Sequence, residues 1–307
     1  MLFLLGILVG IIFPLQTAVN SNLRSQVKSP YLAAMVAFIV ASIFLGGMTL
    51  IQQIPFSELL GNWRLFTTQP WWIWFGGVFG IIGGTIPIIL FPHLGSVQTV
   101  VLPIFGQILM GMLIDNFGWF RSPVFRFDWI RLFGTLLILL GLLLVILIHS
   151  HSKSKESGQQ LVWQFLGLLA GVALASQAAV NGQLGSVLRS PIHAAFISFL
   201  TGAVILIIGV GCFTRNFSNL KLALGHDNPW WIWFGGLFGG AYVLGNSFLA
   251  PLIGTGATVA ITLFGNLAGG LLIDQFGWLG AVKRRTTLKQ VLGLILMAIG
   301  ISLIKSL

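Results

Sequence analysis

Apolar stretches of about 20 residues alternate with short polar breaks along the whole chain. Ten can be marked, at 2–20, 31–51, 71–90, 97–114, 130–149, 161–180, 192–213, 230–250, 257–273 and 288–305. Each approaches the roughly 20 residues an α-helix needs to cross a bilayer. A backbone facing lipid must satisfy its own hydrogen bonds, so all ten are expected to be helical. The short alternating strands of a membrane barrel are not seen. One longer polar break, HSHSKSKESGQQ at 149–160, separates two sets of five. The division expected is a first repeat at 1–149, a linker at 150–160 and a second repeat at 161–307.

The two sets repeat each other. PWWIWFGGVFG at 70–80 returns as PWWIWFGGLFG at 229–239, and LIDNFGW at 113–119 returns as LIDQFGW at 272–278. PLQTAVNSNLRSQVKSP at 14–30 is echoed by ASQAAVNGQLGSVLRSP at 175–191. The offset is 161 for this block and 159 for the later ones. Five is odd, so a chain that threads the membrane enters its second copy from the opposite side. The expected fold is therefore an all-α membrane protein of ten transmembrane helices, built as two inverted five-helix repeats.

Composition agrees. Of 307 residues, 56% are hydrophobic and only 7% charged, far below the roughly 25% charged residues of soluble domains. The net charge of +10 would point a soluble protein toward nucleic acid. Here the basic residues lie between apolar segments and read as orienting charges, so no nucleic-acid partner is expected. Summed by side, six Lys and Arg accompany the N-terminal side and ten the other, which favours both termini outside. Met1 enters the first apolar run with no basic segment before it, so that run is expected to stay as a membrane helix. Cys212 is the sole cysteine. It excludes an internal disulfide and reads as a small buried hydrophobe.

Gly76, Gly80 and Gly84 recur every fourth residue, Gly235 and Gly239 match the first two, and Gly134/Gly141 and Gly293/Gly300 are spaced by seven. Such stripes let helix backbones approach closely, either as static packing or as sliding surfaces. The Pro-Trp-Trp blocks, with Trp119 and Trp278, read as interfacial anchors. Pro92 and Pro251 are expected to end the third and eighth segments, and His93 to lie in a loop.

The polar residues inside the segments repeat too. Gln16 and Asn20 share a helix face, as do their counterparts Gln177 and Asn181. Thr99 and Gln107 lie in the fourth segment; Thr258, Thr262 and Asn266 lie in the ninth. Buried amides in lipid face either partners or a wet cavity. Two readings follow: a polar lining around a central path, or hydrogen bonding that holds the bundle together. Pro87 and Pro103 lack proline counterparts, with Asn246 and Thr262 at the equivalent places, so the first half is expected to carry a kinked pair. No acid stands at the centre of a segment. Asp115 and Asp274, at equivalent ends of the fourth and ninth, read either as interfacial pairing groups or as a symmetric gating or coupling pair. No Walker A, H-E-x-x-H or G-x-S-x-G pattern occurs, so no catalytic residue, metal or cofactor is expected and the chain is not read as an enzyme.

The Q-x-x-x-N segment running to Ser-Pro, the PWW-x-W-x-G-G helix start and the L-x-D-x-F-G-W helix end, each present twice, resemble the drug/metabolite transporter superfamily, and within it the YdcZ-type branch. The resemblance spans essentially the whole chain. It implies a ten-helix carrier of the bacterial inner membrane with inverted repeats, in which the fifth and tenth helices stand outside a central cavity. One departure is plain: the small multidrug exporters of that superfamily carry a glutamate in helix one, and no acid stands in the first or sixth segment here.

The function expected is secondary transport of a small polar or amphipathic metabolite by alternating access. Gln16, Asn20, Gln177 and Asn181 are the expected substrate contacts, followed by Gln107, Asn266, Thr99 and Thr258; amides suit neutral or zwitterionic cargo. The expected partners are a small-molecule substrate and the bilayer, with self-association open. A lipid or amphiphile flippase and a non-transporting membrane scaffold are the alternatives.

Overall fold

A computed structural model describes residues 1–51, 67–146, 158–225, 228–280, 283 and 285–305. Most of the expected linker, up to residue 157, lies outside these residues. Nine α-helices are assigned among the described residues: α1 Leu2–Val27, α2 Pro30–Ile51, α3 Gly76–Phe117, α4 Trp129–Ile146, α5 Gly158–Val187, α6 Pro191–Gly209, α7 Gly235–Ile253, α8 Thr255–Phe276 and α9 Leu288–Lys305. Among the described residues, six helices are long and apolar enough to cross a membrane: α1, α2, α5, α6, α7 and α8. Four shorter apolar helices run over Gly76–Pro87, Val101–Phe117, Trp129–Val145 and Leu288–Ile304.

The repeated motifs are helix punctuation. α1 runs past residue 20 to Val27 and closes at Lys28, whose φ of 54° turns its N–H back onto Arg24 O. Ser29 then accepts from Leu32 N at 3.3 Å. In the second half Arg189 takes the left-handed turn and Ser190 accepts from His193 N, with Pro191 opening α6. The Ser-Pro pair is thus a side-chain cap followed by a proline at the first helical position, where a missing N–H costs nothing. Pro70 and Pro229 likewise open 3-10 turns ahead of α3 and α7.

The L-x-D-x-F-G-W block ends a helix. Gly118 and Gly277 adopt φ of 64° and 69°, the left-handed conformation that glycine takes without steric cost. The amide two residues before each glycine then holds the returning chain: Asn116 Oδ1 accepts from Phe127 N at 2.8 Å, and Gln275 Oε1 accepts from Thr286 N at 2.7 Å. Asp128 and Thr287 cap α4 and α9 by accepting from the N–H three residues on.

The assignment of a single helix over Gly76–Phe117 differs from the two segments expected, and the packing register explains the difference. Along α5, residues 181, 177 and 174 meet Gly76, Gly80 and Gly83, an antiparallel order. Further back on α5, Gly167 meets Leu102 and Gly171 meets Pro103, a parallel order. The chain therefore reverses between Leu90, which also touches Gly167, and Leu102. In the second half the same reversal falls at Gly254, between α7 and α8. Pro251 lies inside α7, two residues before its end. His93 stands in helical backbone rather than in a loop and stacks on Trp163, ring centroids 4.1 Å apart.

Several long-range contacts among the described residues have counterparts in the other half. α1 packs on α7 and α8, as α5 packs on the two arms of α3. Gly10 fits against Thr262 O as Gly171 fits against Pro103 O, and Gly265 fits against Ile7 O as Gly106 fits against Leu168 O. α4 and α9 pair with each other at the side of the bundle. Gly134 abuts Gly300 O and Gly141 abuts Gly293 O, with each glycine of the partner abutting back. That register makes the pair antiparallel. Side chains there would hold the backbones apart, and in lipid close van der Waals approach is what drives helices together.

Cys212 corrects the expectation of burial. It is exposed on the π-helical turn Val210–Thr214 that ends α6, because an apolar residue on a membrane helix can face outward as readily as inward.

Candidate functional site

The Q-x-x-x-N face of each half is seated on the glycine stripe of the other. A Cβ on Gly235 would overlap Asn20 Oδ1, and a Cβ on Gly239 would lie 2.7 Å from Gln16 Nε2. Reciprocally, a Cβ on Gly76 would overlap Asn181 Oδ1 and one on Gly80 would overlap Gln177 Nε2. The expected amides and the expected glycines are thus two halves of one device, which occurs twice. With no Cβ in the way, each asparagine oxygen occupies the space a glycine side chain would fill.

Three of these four amides keep buried polar atoms without a partner. Gln16 Oε1, Asn20 Oδ1 and both polar atoms of Asn181 are buried without a hydrogen-bond partner among the described residues. Asn181 has no exposed surface at all. A buried polar atom left unsatisfied costs about 1–3 kcal/mol. Ser198, buried on α6 beside Gly76, leaves its hydroxyl unpartnered as well. That sets it apart from Ser42, Ser176, Ser186, Ser247 and Thr201, which all donate back to their own helices. The repeat counterpart of Ser198 is Ala37.

The other expected residues fall elsewhere. Gln107 is buried where α3 meets Gly171 of α5, and Asn266 is half-buried next to Gly265, which packs on α1. The Thr258 hydroxyl donates to Gly254 O at 2.7 Å and that of Thr262 to Thr258 O at 2.9 Å, so each gives its proton to the backbone. The side chain of Thr99 lies outside the described residues. No hydrogen bond among the described residues joins a helix α1 amide to a helix α5 amide, so the structure brings the four together as two separate pairs.

Asp115 is buried and bonded. Its carboxylate accepts from Thr255 N at 2.7 Å and from Gly256 N at 2.9 Å, satisfying the free N–H groups that open α8. The end of α3 is thereby tied to the start of a second-half helix. Gly254, with φ 85° and ψ 157°, is wedged between Asp115 Oδ2 and the Phe125 ring, and only glycine fits both the space and the backbone. Arg131, buried, lies with its guanidinium 4.9 Å from the centre of that ring and donates to Phe125 O. Asp274 occupies the equivalent place at the end of α8. It is half-buried, and among the described residues nothing donates to it.

One group was missed. Tyr242 lies on the α7 stripe that seats Gln16 and Asn20, its ring 4.8 Å from that of Phe13. Its hydroxyl shares hydrogen bonds with Thr262 of α8 and Asn246 of α7. Its repeat counterpart is Gly83, and those of Asn246 and Thr262 are Pro87 and Pro103. The failure of the repeat at these three places was the available signal.

These features define a two-repeat helical membrane protein whose halves clasp each other through polar seats. Residues 1–144 and 162–303 match a family described as “Putative inner membrane exporter, YdcZ”. The chain belongs to that family: it is a multi-pass inner-membrane protein of the transporter class. It also resembles a solved crystal structure with a TM-score of 0.64, covering 97% of this chain and 95% of the other, at 13% identity. At that identity the likeness is one of fold. Comparison with curated proteins finds no match.

Proposed function

We propose that the chain is a secondary carrier for a small neutral or zwitterionic polar metabolite, working by alternating access between two inverted halves of five membrane helices each. The observation that carries this reading is the pair of reciprocal seats, in which amides with unspent hydrogen-bonding capacity are buried in an otherwise apolar bundle. Carboxamides both donate and accept without net charge, which suits cargo of the same kind. The antiparallel α4–α9 pair supports the inverted relation of the halves. No step of chemistry is assigned.

The test is exchange in proteoliposomes loaded with pooled labelled amino acids, nucleosides, polyols and amines. Wild-type protein should exchange at least one class, and Gln16→Leu/Asn20→Leu should lose that exchange while eluting as a folded species. Exchange unaffected by the double substitution would refute the assignment of the seats. Labelled lipid crossing the bilayer in place of soluble cargo would favour a flippase.

A further inference from the structure

Two loops of the second half are fastened to the last turns of α1. Asn219 Nδ2 donates to Val27 O at 3.1 Å, which docks the 3-10 segment Phe217–Leu224 that lies between α6 and α7. Ala223 of that segment is buried with Leu23 and Val27. Asn22 Nδ2 donates to Leu279 O at 3.1 Å, which docks the turn Trp278–Gly280 that follows α8. Ile7 and Ile11 of α1 meet Gly265 and Gly269 of α8 in ascending order, so the two helices are parallel. Both loops therefore lie at the face of the bundle where α1 ends.

The two loops present the same two kinds of side chain. Phe213 and Leu224, flanking the first, are 89% and 70% exposed, and Phe217 and Leu222 are exposed between them. Trp278 of the second is exposed and stacks on Phe276, ring centroids 5.3 Å apart. Arg215 and Lys221 accompany the first set; Lys283, Arg285 and Lys289 follow the second, and Lys28 closes α1, all of them exposed. Against these six, the acid at this face among the described residues is Asp274, which is half-buried. A charge that only orients a helix needs to stay on its side of the membrane. It needs neither a docked loop nor exposed rings beside it.

Rings and leucines beside lysine and arginine are what the boundary between headgroups and acyl chains accommodates, the apolar part sinking and the cations staying at the surface. Hydrogen bonds to α1 already hold both loops, so binding has little left to order. From this we infer that the face where α1 ends is a docking surface for anionic phospholipid. Phe213, Phe217 and Leu224 enter the acyl boundary, and the surrounding cations hold the headgroup phosphates. The surface stands whether or not a solute is carried.

The experiment titrates dioctanoyl phosphatidylglycerol into the purified protein in neutral detergent, by calorimetry. It should bind about tenfold or more tightly than dioctanoyl phosphatidylcholine, and more weakly as salt is raised. Arg215→Gln/Lys221→Gln should weaken it by about tenfold or more, at roughly fivefold for each charge removed. Arg121→Gln/Arg126→Gln should leave it unchanged, because these arginines follow α3, whose end is bonded to the start of α8 at the opposite face. Arg215→Lys/Lys221→Arg should keep the affinity, which separates lost charge from a disturbed loop. Equal affinity for the two lipids, or an equal loss from the opposite-face pair, would overturn the docking surface. Displacement of the lipid by inorganic phosphate at matching concentration would reveal a free-phosphate site in its place and would overturn it too.

Discussion

Asn20 sets its carboxamide oxygen against the bare Cα of Gly235, and a single methyl group on that glycine would occupy the same space. The contact crosses from one repeat to the other, so it ties the polar face of α1 to the position of α7. Glycine is required here by the closeness of a buried side chain; the backbone is ordinary helix.

Gly235→Ala and Gly76→Ala should each lower stability by about 1–3 kcal/mol, the usual cost of overpacking a tight contact. Gly84→Ala has nothing within 4 Å of the new methyl and should be neutral or slightly stabilising, because alanine is the better helix former. Thermal unfolding in detergent separates the two outcomes. A loss at Gly84 equal to that at Gly235 would mean that the seats are not the tight points.

Gly141→Ala and Gly293→Ala should destabilise by similar amounts, since each new methyl meets the carbonyl of the other glycine. Either change forces α4 and α9 apart. The double variant should therefore cost clearly less than the sum of the singles, the non-additivity expected of residues in contact. Additive losses would contradict the paired register.

Asp115→Ala should cost about 2–5 kcal/mol by stripping two buried N–H groups of their acceptor. Asp274→Ala should stay within about 0.5 kcal/mol, because among the described residues no hydrogen bond is lost with it. Comparable losses at both sites in thermal melts would show that the two carboxylates are equivalent.

Tyr242→Phe should lower stability by about 0.5–1.5 kcal/mol, the net value of ordinary hydrogen bonds, and should keep the ring contact with Phe13. A larger loss would indicate that Asn246 and Thr262 depend on the hydroxyl for their own positions.

Much of the architecture was legible in the chain. Residue lengths set by the bilayer mark the helices, and a duplicated sequence fixes which residues correspond. The Ser-Pro pairs and the glycines after Phe117 and Phe276 state where helices start and stop, because capping is local chemistry. What the chain could not state is pairing across the repeats. Gln16 and Gly239 were each visible, but the contact between them joins positions more than 200 residues apart. Asp115 looked like an interfacial ion-pairing or gating group because its true acceptor role depends on backbone N–H groups 140 positions away, and backbone carries no sequence signal. Tyr242 was overlooked for another reason: one tyrosine in an apolar run resembles core, and only its departure from Gly83 marks it. The two segments expected at 71–90 and 97–114 are instead assigned as one helix, Gly76–Phe117, although its packing on α5 reverses between Leu90 and Leu102.

The most direct test of the central claim is the melting temperature of the purified protein against a metabolite library, with Gln16→Leu/Asn20→Leu and Gln177→Leu/Asn181→Leu alongside. A ligand that binds only the folded state raises stability by mass action. The account predicts at least one neutral or zwitterionic compound that stabilises the wild type and fails to stabilise either double variant, because both seats take part in one transport cycle. A compound that stabilises the wild type and both variants equally would contradict it.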